Sequence, residues 1–116
     1  MSELLLYQKL YDFLVWIFGK TDKFPRSKRF SLGGRLENLM LDMVVQAHNL
    51  QLTKERFRPI AVMSASFDEV KLFLKICNDT KMISAESFAF AVERCAEIGA
   101  MIGGYRKSVT QASSRA

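Results

Sequence analysis

The sequence predicts an all-α protein, an antiparallel up-down-up-down four-helix bundle. Three observations carry this. Apolar residues recur at steps of three and four in four separate segments, the spacing of one helical face. Nothing alternates with period two for long, so strands have no support. The segments are joined by short connections, which make consecutive helices antiparallel neighbours. The 116 residues suit one domain, and a hydrophobic content of 49% fills its core without staples. The bundle is expected over residues 1–107, followed by a small, polar, frayed tail at 108–116.

The first helix is expected from Glu3 to Lys20, with Leu6, Leu10, Phe13, Leu14 and Ile17 on its core face. Leu4, Leu5, Tyr7, Tyr11, Trp16 and Phe18 spread its apolar character far beyond one stripe. A helix apolar over so much of its circumference has two packing partners, here its own bundle and a neighbouring subunit. A loop from Thr21 to Phe30 follows, because Pro25 disfavours helix at Phe24.

Ser31 reads as the N-cap of a second helix, about Leu32 to Leu52, with Leu32, Leu36, Leu39, Met43, Val44, Ala47 and Leu50 facing inward. Gly33 and Gly34 weaken its first turn by roughly 1 kcal/mol each relative to Ala. Something must approach the backbone there: a neighbouring element in tight packing, or an anion at the helix N-terminus. Thr53 as N-cap, or Pro59 at the first helical position, opens a third helix. Ile60, Met63, Phe67, Val70, Leu74 and Cys77 form its core face, and it ends near Asn78. Ser84 starts a fourth, with Phe88, Val92, Cys95, Gly99, Ile102 and Tyr105 inward and Gly103-Gly104 loosening its end.

Catalytic chemistry finds no support. A di-metal carboxylate bundle needs Glu-x-x-His motifs on two helices. The one histidine is His48, and Val45 stands three residues before it, so no metal site is predicted. A Cys-His or Ser-His nucleophile would have to use His48, and no local signature supports either. Cys77 and Cys95 sit about 15 Å out of register in a helical hairpin, too far for a disulfide, and read as core thiols. Glu93 and Glu97, one turn apart beside Arg94, read as a solvated face. Gly33-Gly34 lacks the pattern of a phosphate-binding loop. No catalytic residue and no cofactor is expected. The N-terminal segment has neither a signal peptide's cleavage site nor a span long enough for a bilayer, which predicts a cytoplasmic protein without a membrane partner.

The charge is uneven. Seventeen Lys and Arg against twelve Asp and Glu give +5 and a pI near 9.4, a bias toward polyanions. It concentrates in Lys20, Lys23, Arg26, Lys28, Arg29 and Arg35, opposed only by Asp22 and interleaved with Phe24 and Phe30. Such a run suits phosphate-backbone contacts to nucleic acid. The two phenylalanines are expected to pin the loop to the bundle end. A second group, Lys54 with Arg58 and Lys71 with Lys75, falls at four-residue spacing, each pair on one face. Of these, Arg58, Lys71 and Lys75 are assigned to a protein partner.

The stretch from Lys23 to Asn38, KFPRSKRFSLGGRLEN, closely resembles the loop and second-helix start of the accessory variability determinant (Avd) family of diversity-generating retroelements. Gly103-Gly104-Tyr105-Arg106-Lys107-Ser108 is similar to that family's C-terminal pattern. Two departures stand out: Tyr105 where the family pattern has Trp, and Gly34 where a polar residue, often Gln, is usual. The resemblance covers almost the whole chain. It implies barrel-shaped homopentamers of four-helix bundles, without catalytic activity. Such proteins associate with the retroelement's reverse transcriptase and its template RNA or cDNA, in a bacterial or phage-encoded setting. The related bundle proteins of ribosomal-RNA intervening sequences share the fold and supply the alternative, an oligomeric structural bundle with no dedicated nucleic-acid role.

Overall fold

The structure, a computed structural model, describes the backbone of residues 3–115 and the side chains of residues 3–110. Every regular element among the described residues is helical. Four long helices pack around one core: helix one (Glu3–Thr21), helix two (Gly34–Leu50), helix three (Phe57–Asp79) and helix four (Ala85–Arg115). Helix four, at 31 residues, spans about 46 Å and sets the long dimension of a molecule measuring 50 × 22 × 20 Å. No described helix is long and apolar enough to cross a membrane.

Periodicity located three core faces well. Helix one buries Leu6, Leu10, Phe13, Leu14 and Ile17, and helix three buries Ile60, Met63, Phe67, Val70, Leu74 and Cys77. Helix two buries Leu36, Leu39, Met43, Ala47 and Leu50, with Leu32 and Val44 at the rim. Met40, outside the expected stripe, is also fully buried. Helix four is rotated from the expected face. Ala91, Cys95, Ile98, Met101 and Ile102 are buried, while Val92 is exposed and Gly99 lies at the rim. Its many Ala and Gly residues fit a core or a groove equally, which blurs the period.

The largest departure lies between helices one and two. In place of a loop to Phe30, a helical turn at Arg26–Lys28 leads into a π-helical segment, Arg29–Gly33, which runs without a break into helix two. Pro25 stands immediately before this turn at φ −55° and ψ 146°, where its ring favours the start of a helix over its continuation. Ser31 therefore caps nothing: its Oγ donates back to the Ser27 carbonyl at 3.3 Å. Gly33 and Gly34 are interior positions, away from any helix N-terminus, which removes the anion reading. A Cβ on Gly33 would meet Phe24 Cδ2 at 3.4 Å and Thr21 Cβ at 3.6 Å. Those are ordinary van der Waals distances, so the position lies against the end of helix one without packing so tightly that a glycine is required. Thr21, also buried, donates to Glu37 Oε2 and fastens the same junction.

The other boundaries follow local chemistry. Thr53 Oγ1 accepts from the Glu55 amide at 3.2 Å, so it closes a turn before helix three instead of capping it. The cap comes from Glu55, whose Oε1 accepts from the Arg58 amide at 3.2 Å. Ser84 does cap helix four, its Oγ accepting from the Ser87 amide at 3.0 Å. Helix four passes through Gly103-Gly104 and keeps a helical backbone to Arg115, beyond its expected end. The side chains of residues 111–116 and the placement of Ala116, the far part of the expected tail, lie outside the described residues.

Helix three ends in a Schellman turn. The Met82 amide donates to the Cys77 carbonyl at 2.8 Å, the Lys81 amide donates to Asn78 at 3.1 Å, and Lys81 takes φ 62°. A side chain with a Cβ is strained there by about 1 kcal/mol. Lys81→Gly should therefore raise the melting temperature by about 4 °C, measured by circular dichroism. An unchanged or lowered value would show that Lys81 stabilises the turn in some other way.

Pairs that cross between helices fix their register. Trp16 and Phe90 rings lie 4.9 Å apart, and Lys9 Nζ reaches Glu97 Oε1 at 2.8 Å, both between helices one and four. Arg35 Nη2 lies 3.9 Å from Glu69 Oε1, and Arg106 Nη1 donates to Ser64 Oγ at 3.2 Å.

Candidate nucleic-acid interface

The basic residues predicted for nucleic acid divide into two groups. Lys20 and Arg35 are engaged within the molecule. Lys20 Nζ lies 5.3 Å from the centre of the Trp16 ring, and Arg35 covers Phe73 at 5.6 Å while facing Glu69. Arg29 is held loosely, 3.6 Å from Asp22 Oδ1. Lys23, Arg26 and Lys28 are exposed, and their side chains have no hydrogen-bond, ion-pair or ring partner among the described residues. The free charge is thus narrower than the sequence suggested.

Helical geometry explains why it points outward. A π turn carries one residue more than an α turn, so the core stripe of helix two loses phase at Arg29–Gly33. Residues 25–31 are all exposed. Arg26, Lys28 and Arg29 therefore stand on a helical arm anchored at both ends, by Phe24, 5% exposed, before it and by Gly33 against helix one after it, while Lys23 lies in the turn just before Phe24. Phe24 pins this segment as expected. Phe30 does not: it is 79% exposed, and neither a ring nor a cation packs on it among the described residues. No sequence pattern separates these two phenylalanines, because the distinction is created by the π turn.

A family model described as bAvd-like matches residues 4–109, nearly the whole chain and all of the site just described. The chain belongs to the bAvd-like family. None of the curated proteins or solved structures compared with it matches.

In this bAvd-like protein the residues assigned to a protein partner do not form one patch. Arg58 lies thirteen residues before Lys71 on helix three, roughly 20 Å along the axis. Lys54 precedes the helix, so its spacing to Arg58 carries no facial meaning. Lys71 and Lys75 do share a face, but both have counterions: Lys71 Nζ is 3.6 Å from Asp68 and Lys75 Nζ 2.8 Å from Asp79. Glu69, the other acid near them in sequence, turns to Arg35. Lys71 also covers the Phe67 ring at 4.8 Å and stands at the rim of a groove of about 580 Å³ between helices three and four. Phe67, Leu74, Phe88, Val92 and Ile102 give this groove an apolar lining. A Cβ on Gly99 would come within 3.1 Å of Phe67 Cε2, so that glycine lets the two helices approach.

The remaining candidate groups serve packing. His48 is exposed, its ring 6.1 Å from Tyr7. Lys9 bonds Glu97 and holds its carboxyl below the usual range, which joins helices one and four. Tyr105, at the position where the family pattern has Trp, is half-buried near the Glu3–Arg56 ion pair, and burial followed by Glu3 pushes its phenol up. No group of three or more His, Cys, Asp or Glu side chains that could hold a metal occurs among the described residues.

Cys77 and Cys95 are both free and buried, and burial pushes each thiol up to about 11. At pH 8 only about one thiol in a thousand is then ionised. Both should resist a disulfide reagent such as DTNB in the native protein and react at once in guanidinium. Rapid native labelling of either would contradict its burial.

Proposed function

We propose that this bAvd-like protein is a non-enzymatic accessory subunit of a diversity-generating retroelement. It holds the reverse transcriptase and nucleic acid, template RNA or cDNA, together during mutagenic reverse transcription in a bacterial or phage-infected cytoplasm. The observation that carries the nucleic-acid part is the outward arm with Arg26 and Lys28 and, in the turn before it, Lys23, three cations without internal counterions among the described residues. Flexible phosphate backbones are contacted by such residues without base selectivity. Family membership over residues 4–109 supports the retroelement setting.

Neighbouring helices run antiparallel in this reading. The paired positions Lys9 with Glu97 and Trp16 with Phe90 support it, since their order reverses between helices one and four. The bundles assemble as a homopentamer. Support comes from helix one, where Leu4, Leu5, Tyr11 and Val15 remain exposed after the bundle has closed. Pooling five arms on one assembly multiplies phosphate contacts without new chemistry. We assign the reverse transcriptase to the Lys71 and Lys75 face. An apolar groove beside charges that already have counterions suits a protein surface better than a bare polyanion.

The test is a pull-down with the retroelement's reverse transcriptase beside a gel-shift with its template RNA. Retention of both is expected, and an assembly that holds neither would leave the structural-bundle alternative.

A further inference from the structure

We propose that Phe30 is a base-stacking residue, and that the basic arm therefore takes single-stranded rather than duplex nucleic acid. This rests on the nucleic-acid reading of the arm above and adds the chemical form of the ligand.

Phe30 has the highest exposure among the exposed large hydrophobic residues, in a chain whose other arm phenylalanine is buried. Other aromatic rings already hold cations of the same molecule: Trp16 with Lys20, Phe73 with Arg35, Phe67 with Lys71 and Phe90 with Arg94. Phe30 has no such occupant among the described residues, although Arg29 precedes it directly and Lys28 stands two residues away. The arm thus offers an open ring face amid free cations.

A phenyl ring has no donor or acceptor with which to read a groove edge. It can gain only by covering another flat apolar face. In a duplex the bases already stack on one another, and wedging between them costs a few kcal/mol per step. In a single strand each base has an open π-face, and an aromatic beside phosphate-binding cations is the arrangement that captures it. The π turn keeps the ring outside the core phase of helix two, so stacking requires no unfolding of the bundle.

Two probes of equal length and charge separate the contributions: a single-stranded oligonucleotide with bases, and the same backbone made abasic. Phe30→Ala should weaken the first about tenfold, the size of one base–aromatic stack, and leave the second unchanged. A duplex of the same sequence should bind wild type more weakly than the single strand and show no effect of the substitution. Phe30→Trp should restore single-strand affinity, with the new indole quenched when bases are present. Equal binding of wild type and Phe30→Ala to the based strand would overturn the stacking role while leaving the charged arm standing. So would an equal loss on both probes, or a changed assembly mass for Phe30→Ala in light scattering, which would make the ring a subunit contact. Wild type that binds neither probe would overturn the nucleic-acid reading and this proposal with it.

Discussion

Replacing Arg26, Lys28 and Arg29 together by Ala should cost roughly a hundredfold in single-strand affinity per subunit at 0.1 M salt, while the fold persists. Each phosphate that the protein no longer neutralises takes about 0.7 from the slope of log K against log salt, so three take about 2. Between 1 M and 0.1 M salt that slope change corresponds to roughly two orders of magnitude. The fold persists because all three side chains are exposed, and among the described residues only Arg29 has an internal partner, at 3.6 Å. Substitutions of this kind cost within about 0.5 kcal/mol. Titrations at several salt concentrations, with circular dichroism on the same samples, check both halves. A slope that stays at the wild-type value would remove the arm from the interface. A variant that unfolds would return these residues to the structure. The parallel substitution of Lys71 and Lys75 should spare RNA and weaken retention of the polymerase. If the arm variant instead failed to hold polymerase and kept RNA, the two surfaces would be reversed.

Helix one should respond in opposite ways to substitutions on its two faces. Leu10 is 0% exposed and Val15 is 53% exposed. Leu10→Ala removes buried methyl groups and leaves a cavity, at a cost of about 2–5 kcal/mol, which in a domain this size lowers the melting temperature by roughly 8–20 °C. Val15→Glu with Tyr11→Lys alters two half-exposed side chains outside the buried core, so the isolated subunit should keep its fold and lose far less stability than with Leu10→Ala. Its mass by light scattering should fall from about 67 kDa, five chains of 13.3 kDa, to a single chain. Placing charges in an apolar subunit contact leaves them desolvated and unpaired, which the association does not survive. A wild-type protein that is monomeric at micromolar concentration would remove the pentamer. It would also leave the exposed stripe of helix one without a partner.

The amino-acid sequence by itself determined the four helices, their approximate extents and the inward faces of helices one, two and three. Large apolar residues at steps of three and four leave one way to bury themselves, and that requirement is local. It also located the basic run, since charge is legible without coordinates. Tertiary structure decided where local signals are ambiguous or overruled. Gly33 and Ser31 resemble a helix start, yet the chain is already helical from Arg26 onward, and Gly33 lies buried beside Thr21 and Phe24. In helix four the small residues Ala91 and Gly99 give periodicity little to choose between, and packing in the fold buries Ala91 and Ile98 while leaving Gly99 at the rim, against Phe67. Within the basic run, composition treats Lys20, Arg35, Lys23, Arg26 and Lys28 alike. Trp16 lies one helical turn before Lys20, a local pairing, but only the fold brings Glu69 to Arg35, and the other three stay free among the described residues. The contrast between Phe24 and Phe30 has the same origin. Burial depends on the direction of a side chain in space, and the second ring, on the π turn, stands out in solvent.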